Sequence, residues 1–122
     1  MEEIYYELKE SDLIILGSPM YFGMFPAPLK ALIVRCQLLW SEKYIFNDTG
    51  KKKKGILIFD SGINWRDMYI PMETIARYFF NTINCTIVGN IYVTNTDEDK
   101  NYISNNISSI INCQEILSNL ID

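Results

Sequence analysis

The sequence predicts an α/β fold in which helices cover a parallel β-sheet. Three strand candidates carry this prediction: Leu13–Leu16, Gly55–Phe59 and Cys85–Val93. The first is four consecutive apolar residues without polar alternation, which is typical of a strand covered on both faces, as in a parallel sheet. Segments with apolar residues at helical spacing separate the strands, and this alternation of strand and helix favours a parallel sheet.

The chain begins with a predicted short helix over residues 2–10, which places Ile4, Tyr5 and Leu8 on one face. The strand Leu13–Leu16 follows. After a loop that extends to Ala27, Pro28 suits the first turn of a second helix because its fixed φ is preorganised for helix. Apolar residues at helical spacing continue this helix to about residue 40: Leu29, Leu32, Ile33, Cys36, Leu39 and Trp40.

A polar turn over Phe46–Gly50 precedes four lysines, Lys51–Lys54. These lysines could attract the phosphates of NADPH or an acidic partner. A solvated charge run before a buried strand is the favoured interpretation, because such runs commonly lie exposed.

The second half of the chain repeats the alternation of strand and helix. The strand Gly55–Phe59 leads to a turn over Asp60–Asn64, and a helix is predicted over about residues 68–84. Its predicted buried residues are Met72, Ile75, Phe79 and Ile83. The strand Cys85–Val93 then leads to a last helix over about residues 100–120, which has weak intrinsic propensity and must dock its apolar residues. Those residues are Ile103, Ile107, Ile110, Ile111 and Leu117.

Composition indicates one globular domain over residues 1–122 and limits the chemistry it can perform. The net charge of −4 disfavours nucleic acid as a partner, and no apolar run approaches the roughly 20 residues of a membrane span. Three widely spaced cysteines offer neither a disulfide framework nor a metal site, so we expect a cytoplasmic protein. The sequence contains no histidine, which excludes Ser-His-Asp and Cys-His machinery. We therefore expect no catalytic side chain, and chemistry that comes from a cofactor.

The candidate binding site is the loop after the first strand, with its cofactor-binding residues Ser18, Pro19, Met20, Tyr21, Phe22 and Gly23. Ligands of open α/β sheets bind outside the carboxyl ends of the strands. Backbone amides beside two aromatic rings suit a flat heteroaromatic ligand with polar edges, such as a flavin. The second strand ends on the same rim, which adds Asp60, Ser61 and Gly62 to the site. A purely structural turn remains the alternative for each loop.

The motif from Gly17 to Gly23, followed by Pro28–Arg35 and Trp40, resembles the NADPH-dependent FMN reductases of flavodoxin-like fold. Within that family it is most similar to the iron–sulfur flavoproteins, whose pattern is G-S-P-x-Y-F-G followed by L-K-x-x-I-D-R. The resemblance covers most of residues 4–95. Val34 stands where an Asp is common in the family. We expect the family's first strand, phosphate-binding loop, first helix, second strand and cysteine cluster to be missing.

The resemblance implies a three-layer flavodoxin-like sandwich, truncated to its last three parallel strands. It also implies that the loop residues contact the flavin ring of FMN, with NAD(P)H as the electron donor. The function implied is an NAD(P)H-dependent flavin reductase or related redox flavoprotein. Two alternatives remain: a partner-dependent or non-catalytic binding module, and an electron carrier. Because the first strand would lack its usual neighbour, we expect a homodimer or a complementing chain.

Overall fold

The computed structural model describes residues 1–48, 50–97 and 107–121 of the chain. Its three strands form one parallel sheet in the order β1-β2-β3. The elements are, in chain order, α1 (Glu2–Glu10), β1 (Leu13–Pro19), α2 (Ala27–Arg35), α3 (Gln37–Tyr44), β2 (Lys53–Asp60), α4 (Ile70–Thr82), β3 (Cys85–Val93) and α5 (Ile107–Ile121). The predicted α/β class, its parallel sheet and its three strands are confirmed.

Helices cover both faces of this sheet. On one face a large core forms between the strands and the helices α2, α3 and α4, with Phe59 and Met72 fully buried at its centre. On the other face α5 packs Ile116 against Ile56 and Ile91. The result is the three-layer arrangement that the family resemblance implied.

Strand β1 differs from its prediction on one face. Leu16 and Ser18 point into the large core and are buried, but Leu13 and Ile15 are 37% and 53% exposed on the opposite face. The prediction that this run is covered on both faces is therefore wrong for the described chain. The reason is that α5 packs over β2 and β3 and leaves the β1 side of its face open.

The single helix predicted through Trp40 is two helices that meet at Cys36. Pro28 lies in the first turn of α2, as predicted. The Cys36 backbone has a ψ of 3°, and its N–H donates to the carbonyls of both Leu32 and Ile33. The apolar spacing continues across this break because Cys36 and Leu39 face the same core.

Lys53 contradicts the prediction that all four lysines are solvated. Its side chain is buried, and its ammonium donates to the carbonyls of Lys51 and Ile83, at 2.8 and 2.9 Å. Burial lowers the pKa of this lysine because it disfavours the charged form. Lys52 and Lys54 are exposed, as expected.

Two helices close the fold. Helix α4 buries Met72 and Phe79 as predicted, while Ile75 is only partly buried. The start predicted for the last helix, with Ile103, lies outside the described residues. In α5, Ile116 is the buried anchor and Leu117, predicted to mark the apolar face, is 53% exposed. No helix in the described part of the chain is long and apolar enough to cross a membrane.

Candidate functional site

The two predicted loops converge at one end of the sheet. Strands β1 and β2 end at the same level, since Pro19 pairs with Asp60 in the parallel register. The Met20 N–H then donates to the Asp60 carbonyl at 2.9 Å and fixes the first loop beside the second. A cleft of about 900 Å³ opens at these carboxyl ends. This position is where open α/β sheets bind ligands.

Eight of the nine predicted cofactor-binding residues line this cleft. Ser18 does not, because its side chain is buried and its hydroxyl donates to the Pro19 carbonyl at 2.8 Å. Among the described residues, the lining comprises Pro19, Met20, Tyr21, Phe22, Gly23, Asp60, Ser61, Gly62, Ile63, Trp65, Asp67, Met68, Pro71, Thr96 and Asp97. The structure thus brings both predicted loops into one cavity.

The first loop folds back as a tight turn between Tyr21 and Met24. The backbone N–H of each residue donates to the carbonyl of the other, both at 3.0 Å. The two central residues, Phe22 and Gly23, have φ values of 53° and 71°, as in a type I′ turn. Glycine adopts this conformation freely, whereas an aromatic residue adopts it at a cost of about 1 kcal/mol or more. The turn therefore holds Phe22 at its tip in a conformation that such a side chain rarely adopts.

The rim of the cleft is aromatic and open to solvent. Phe22 is 102% exposed, Tyr21 is 59% exposed and Trp65 is 70% exposed. The base of the same loop is anchored by Phe25, which is buried and contacts Phe59 edge to face at 5.6 Å between ring centroids. Exposed rings on an anchored loop can close on a flat ligand without disrupting the core.

Hydrogen bonds of Ser61 hold the second loop against the end of β3 and the loop that follows it. The Ser61 N–H donates to the Val93 carbonyl at 2.9 Å. The Ser61 carbonyl accepts from both the N–H and the hydroxyl of Thr96. The Ser61 hydroxyl accepts from the Ile63 N–H at 3.3 Å, which closes the turn. The second loop is thereby fixed in the wall of the cleft.

A third loop, after β3, completes the cleft and was not among the predicted site residues. Thr96 and Asp97 lie against the second loop, and the Asp97 N–H donates to the Gly62 carbonyl at 3.4 Å. A Cβ on Gly62 would meet the Asp97 carboxylate, so a larger residue at position 62 would require the exposed Asp97 side chain to move. The signal was available in the sequence, because β3 ends on the same rim as β1 and β2.

Hydrogen-bond donors and negative charge are both present in the cleft. The N–H groups of Phe22, Gly23 and Gly62 have no acceptor among the described residues. The carboxylates of Asp60, Asp67 and Asp97 are in the lining, which contains no basic side chain in the part of the chain that the structure describes. Asp67 is paired from outside by the Arg66 guanidinium, with Nε 3.5 Å from Oδ2. The cleft therefore offers amide donors to a ligand but no cation.

Stacked aromatic rings support the cleft from below. Tyr92 contacts Phe59, at 5.6 Å and 2° between the ring planes, and Tyr69, at 4.5 Å and 22°. The Phe59 and Tyr69 rings also contact each other, with 6.1 Å between their centroids. The Tyr69 hydroxyl donates to the Val93 carbonyl, and the Tyr92 hydroxyl donates to Glu73. Burial, together with the Glu73 carboxylate, raises the pKa of Tyr92 and keeps it protonated. This stack gives the second and third loops a rigid base.

Comparison with known proteins adds family evidence to this geometry. The family model described as NADPH-dependent FMN reductase matches residues 1–62, half of the chain. An iron–sulfur flavoprotein from Methanosarcina thermophila is 49% identical over 39 residues, which is 32% of this chain. The match spans only 20% of that curated relative's length.

Solved structures resemble the chain more broadly at lower identity. The Trp repressor binding protein from Bacillus subtilis aligns with a TM-score of 0.60 and 17% identity, over 84% of this chain and 66% of that one. A flavoprotein in complex with FMN from Lactobacillus acidophilus aligns with a TM-score of 0.41 and 16% identity, over 80% of this chain and 52% of that one. The Bacillus alignment shows that the two chains share the flavodoxin-like fold.

Proposed function

Because this chain belongs to the NADPH-dependent FMN reductase family, we propose that its cleft binds the isoalloxazine ring of FMN and that the protein is a redox flavoprotein. The observation that carries the proposal is the convergence of Pro19–Gly23 and Asp60–Gly62 on one cleft at the carboxyl ends of β1 and β2. Five of the seven residues of the family motif in the first loop, Pro19–Gly23, line the cleft.

The residues present fit the ring portion of a flavin. The cleft, at about 900 Å³, has the size of ordinary cofactor pockets, which span about 300–1,000 Å³. Tyr21 and Trp65 supply aromatic surface for a flat ring. The unpaired N–H groups of Phe22, Gly23 and Gly62 are donors for the carbonyl and nitrogen edge of such a ring. Ser18 supports the loop from within the core instead of contacting the ligand.

The proposed reaction is electron transfer from NADH or NADPH to the bound flavin. FMN supplies the hydride-accepting ring when bound, so no side chain needs to act as a general acid or base. The role of the chain is to bind and orient the ring and to keep one of its faces reachable. The open aromatic rim at Phe22 and Trp65 supports this role, because a nicotinamide ring could approach over it.

We propose that the protein is cytoplasmic and acts as a homodimer, with a complementing chain as the alternative partner. The thiols of Cys36 and Cys85 are free and buried, as expected in a reducing compartment. The exposed apolar face of β1, with Leu13 and Ile15, supports association with another chain.

A second candidate function is electron transport between proteins without a nicotinamide substrate. It is favoured by the fully exposed Phe22 beside exposed Trp65 and Ile63, since an apolar rim around a redox cofactor suits transient docking of a protein partner. The two functions differ in the electron donor to the flavin, which is NADH or NADPH in the first and a protein in the second, so an experiment can separate them.

The test is a titration of the purified chain with FMN, followed by quenching of flavin fluorescence. Saturable quenching at one site per chain is expected, and the loaded protein should then oxidise NADH or NADPH in a steady-state assay. Binding without any nicotinamide oxidation would assign the carrier function. Absence of flavin binding by a folded chain would refute the proposal.

A further inference from the structure

A second cavity adjoins the cleft at Trp65. This cavity, which we call the side pocket, has a volume of about 360 Å³ and lies beside the start of α4 and the end of β3. Trp65, Asp67 and Met68 line both the side pocket and the cleft, so they form the ridge between the two cavities. A ligand with two flat rings joined by a flexible linker could therefore occupy both cavities at once.

The ridge is a tight turn that its own hydrogen bonds close. The Met68 N–H donates to the Trp65 carbonyl at 3.4 Å, and the Trp65 N–H donates to the Met68 sulfur at 3.2 Å. Asp67 has a φ of 58°, a left-handed conformation that aspartate adopts more readily than most residues. The turn leaves the Trp65 side chain exposed at the boundary between the cavities. An exposed indole at this boundary can stack on a flat ring in either cavity.

The side pocket contains a cation, which the cleft lacks. Arg66 is the only basic side chain among the described residues that line either cavity. Its pairing with Asp67 is a surface ion pair of two exposed side chains, which contributes little and leaves the guanidinium available to a ligand. The Glu73 carboxylate also lines the side pocket. It accepts from the Tyr92 hydroxyl and retains acceptor capacity, because a carboxylate has two oxygens with about four lone-pair sites.

Stacked tyrosine rings give the side pocket a rigid aromatic wall. Tyr69 and Tyr92 both line it, and the Tyr69 ring is held by the hydrogen bond from its hydroxyl to the Val93 carbonyl. Asn64 and Thr94 add a side-chain amide and a hydroxyl to the lining. Apolar rings with a few polar groups beside them are typical of pockets that bind a flat base attached to a sugar.

We propose that the side pocket binds the adenosine half of NADH while the nicotinamide half reaches the flavin in the cleft. This inference rests on the proposed flavin function. NADH consists of two flat bases, each on a ribose, joined by a pyrophosphate, which matches two adjoining cavities with an exposed indole between them. Arg66 suits the pyrophosphate, because a guanidinium donates charge-assisted hydrogen bonds to phosphate oxygens. Glu73 suits the adenosine ribose, because a carboxylate accepts hydrogen bonds from its hydroxyls.

The same residues favour NADH over NADPH. NADPH carries an additional phosphate on the adenosine ribose, and the carboxylates of Asp67 and Glu73 in the side pocket would repel that charge. In dinucleotide-binding sites a carboxylate beside this ribose is typical of NAD, whereas an arginine accommodates the phosphate of NADP. Arg66 is shared with Asp67, so we expect Glu73 to decide the selectivity.

Binding in the side pocket is tested without flavin by titration with ADP-ribose, which is NADH without its nicotinamide ring. In a Trp40→Phe chain, Trp65 is the only tryptophan, and saturable quenching of its fluorescence is expected. Arg66→Gln should weaken ADP-ribose binding about threefold to tenfold. Arg77→Gln removes the same charge from an exposed position outside both cavities and should leave the affinity unchanged. A folded chain whose Trp65 fluorescence does not respond to ADP-ribose, or an Arg66→Gln chain with unchanged affinity, would overturn the inference.

The role of the side pocket in turnover is tested by comparing electron donors with the FMN-loaded protein. Reduced nicotinamide mononucleotide lacks the adenosine half of NADH, so Arg66→Gln should raise the KM for NADH about threefold to tenfold without changing the KM for the mononucleotide. Glu73→Gln retains an oxygen that accepts from the Tyr92 hydroxyl. This variant should lower the ratio of kcat/KM for NADH to kcat/KM for NADPH about threefold or more. Glu115→Gln, at an exposed position of α5, should leave that ratio unchanged. An equal rise in KM for NADH and the mononucleotide would overturn the assignment of Arg66, and an unchanged ratio in Glu73→Gln would overturn the selectivity.

The outcomes separate this inference from the proposed function. If FMN binds but ADP-ribose does not, the side-pocket inference is overturned while the flavin site stands. If ADP-ribose binds through Arg66 to a chain that binds no FMN, the side pocket is a nucleotide site, whereas the proposed flavin function and the role of the pocket in it both fail.

Discussion

Replacement of both rim aromatics, Tyr21→Ala/Phe22→Ala, should weaken flavin binding about tenfold and leave the fold intact. The two side chains are 59% and 102% exposed, so their removal exposes little core surface. The turn that holds them is closed by backbone hydrogen bonds between Tyr21 and Met24, which the substitutions retain. Alanine at position 22 meets the same positive φ as phenylalanine, so the backbone preference is nearly unchanged.

The expected magnitude follows from stacking energies. An aromatic pair contributes about 0.5–1.5 kcal/mol beyond area burial, and tenfold in affinity corresponds to about 1.4 kcal/mol. Two rings that both contact the flavin therefore account for about tenfold or more. If only Tyr21 contacts the flavin ring, Tyr21→Ala alone will weaken flavin binding, whereas Phe22→Ala, at the tip of the turn, will change the affinity little.

The assay is titration of FMN and riboflavin by fluorescence quenching, with urea unfolding to confirm the fold. Phe46→Ala/Tyr78→Ala is a matched control, because these aromatics are 74% and 70% exposed and lie outside the cleft. A folded Tyr21→Ala/Phe22→Ala chain with wild-type flavin affinity would show that the ring binds elsewhere.

Three further predictions concern stability. Gly55→Ala should destabilise the protein by about 1–3 kcal/mol in urea unfolding, because its Cβ would lie 2.5 Å from Phe80. Gly17→Ala, whose Cβ would lie at an ordinary contact distance of 4.0 Å from the Ile58 carbonyl oxygen, should change stability by less than about 1 kcal/mol. Gly89→Ala should weaken the docking of α5, since its Cβ would lie 2.8 Å from Ile116, and loss of protection in α5 by hydrogen exchange would show this. Burial raises the pKa of Cys36 from 9.0 to about 11, so the folded thiol retains its proton where the unfolded thiol ionises. The free energy of unfolding should therefore fall as pH rises from about 9 towards 11, and urea unfolding under reducing conditions should show a smaller fall for Cys36→Ala. An equal pH dependence in the wild-type protein and the variant would contradict the attribution of this effect to Cys36.

The strands and the position of the cleft were predictable because they depend on local pattern. The strand Cys85–Val93 has its predicted bounds, and β1 and β2 contain their predicted runs. The convergence of the loops after β1 and β2 follows from parallel direction alone. By the same rule, Thr96 and Asp97, which follow β3, could have been predicted to line the cleft. They were missed because they belong to no recognised motif.

Features that depend on tertiary neighbours were not predictable. The spacing of apolar residues indicates which side chains face the core, but it does not show whether the helical hydrogen bonds continue. The break at Cys36 could therefore not be recognised in the sequence. Lys53 is buried because the carbonyls of Lys51 and Ile83 accept its ammonium, and the position of Ile83 is set by α4. One face of β1 is exposed because α5 docks on β2 and β3. The run Leu13–Leu16 carries no information about where that helix docks.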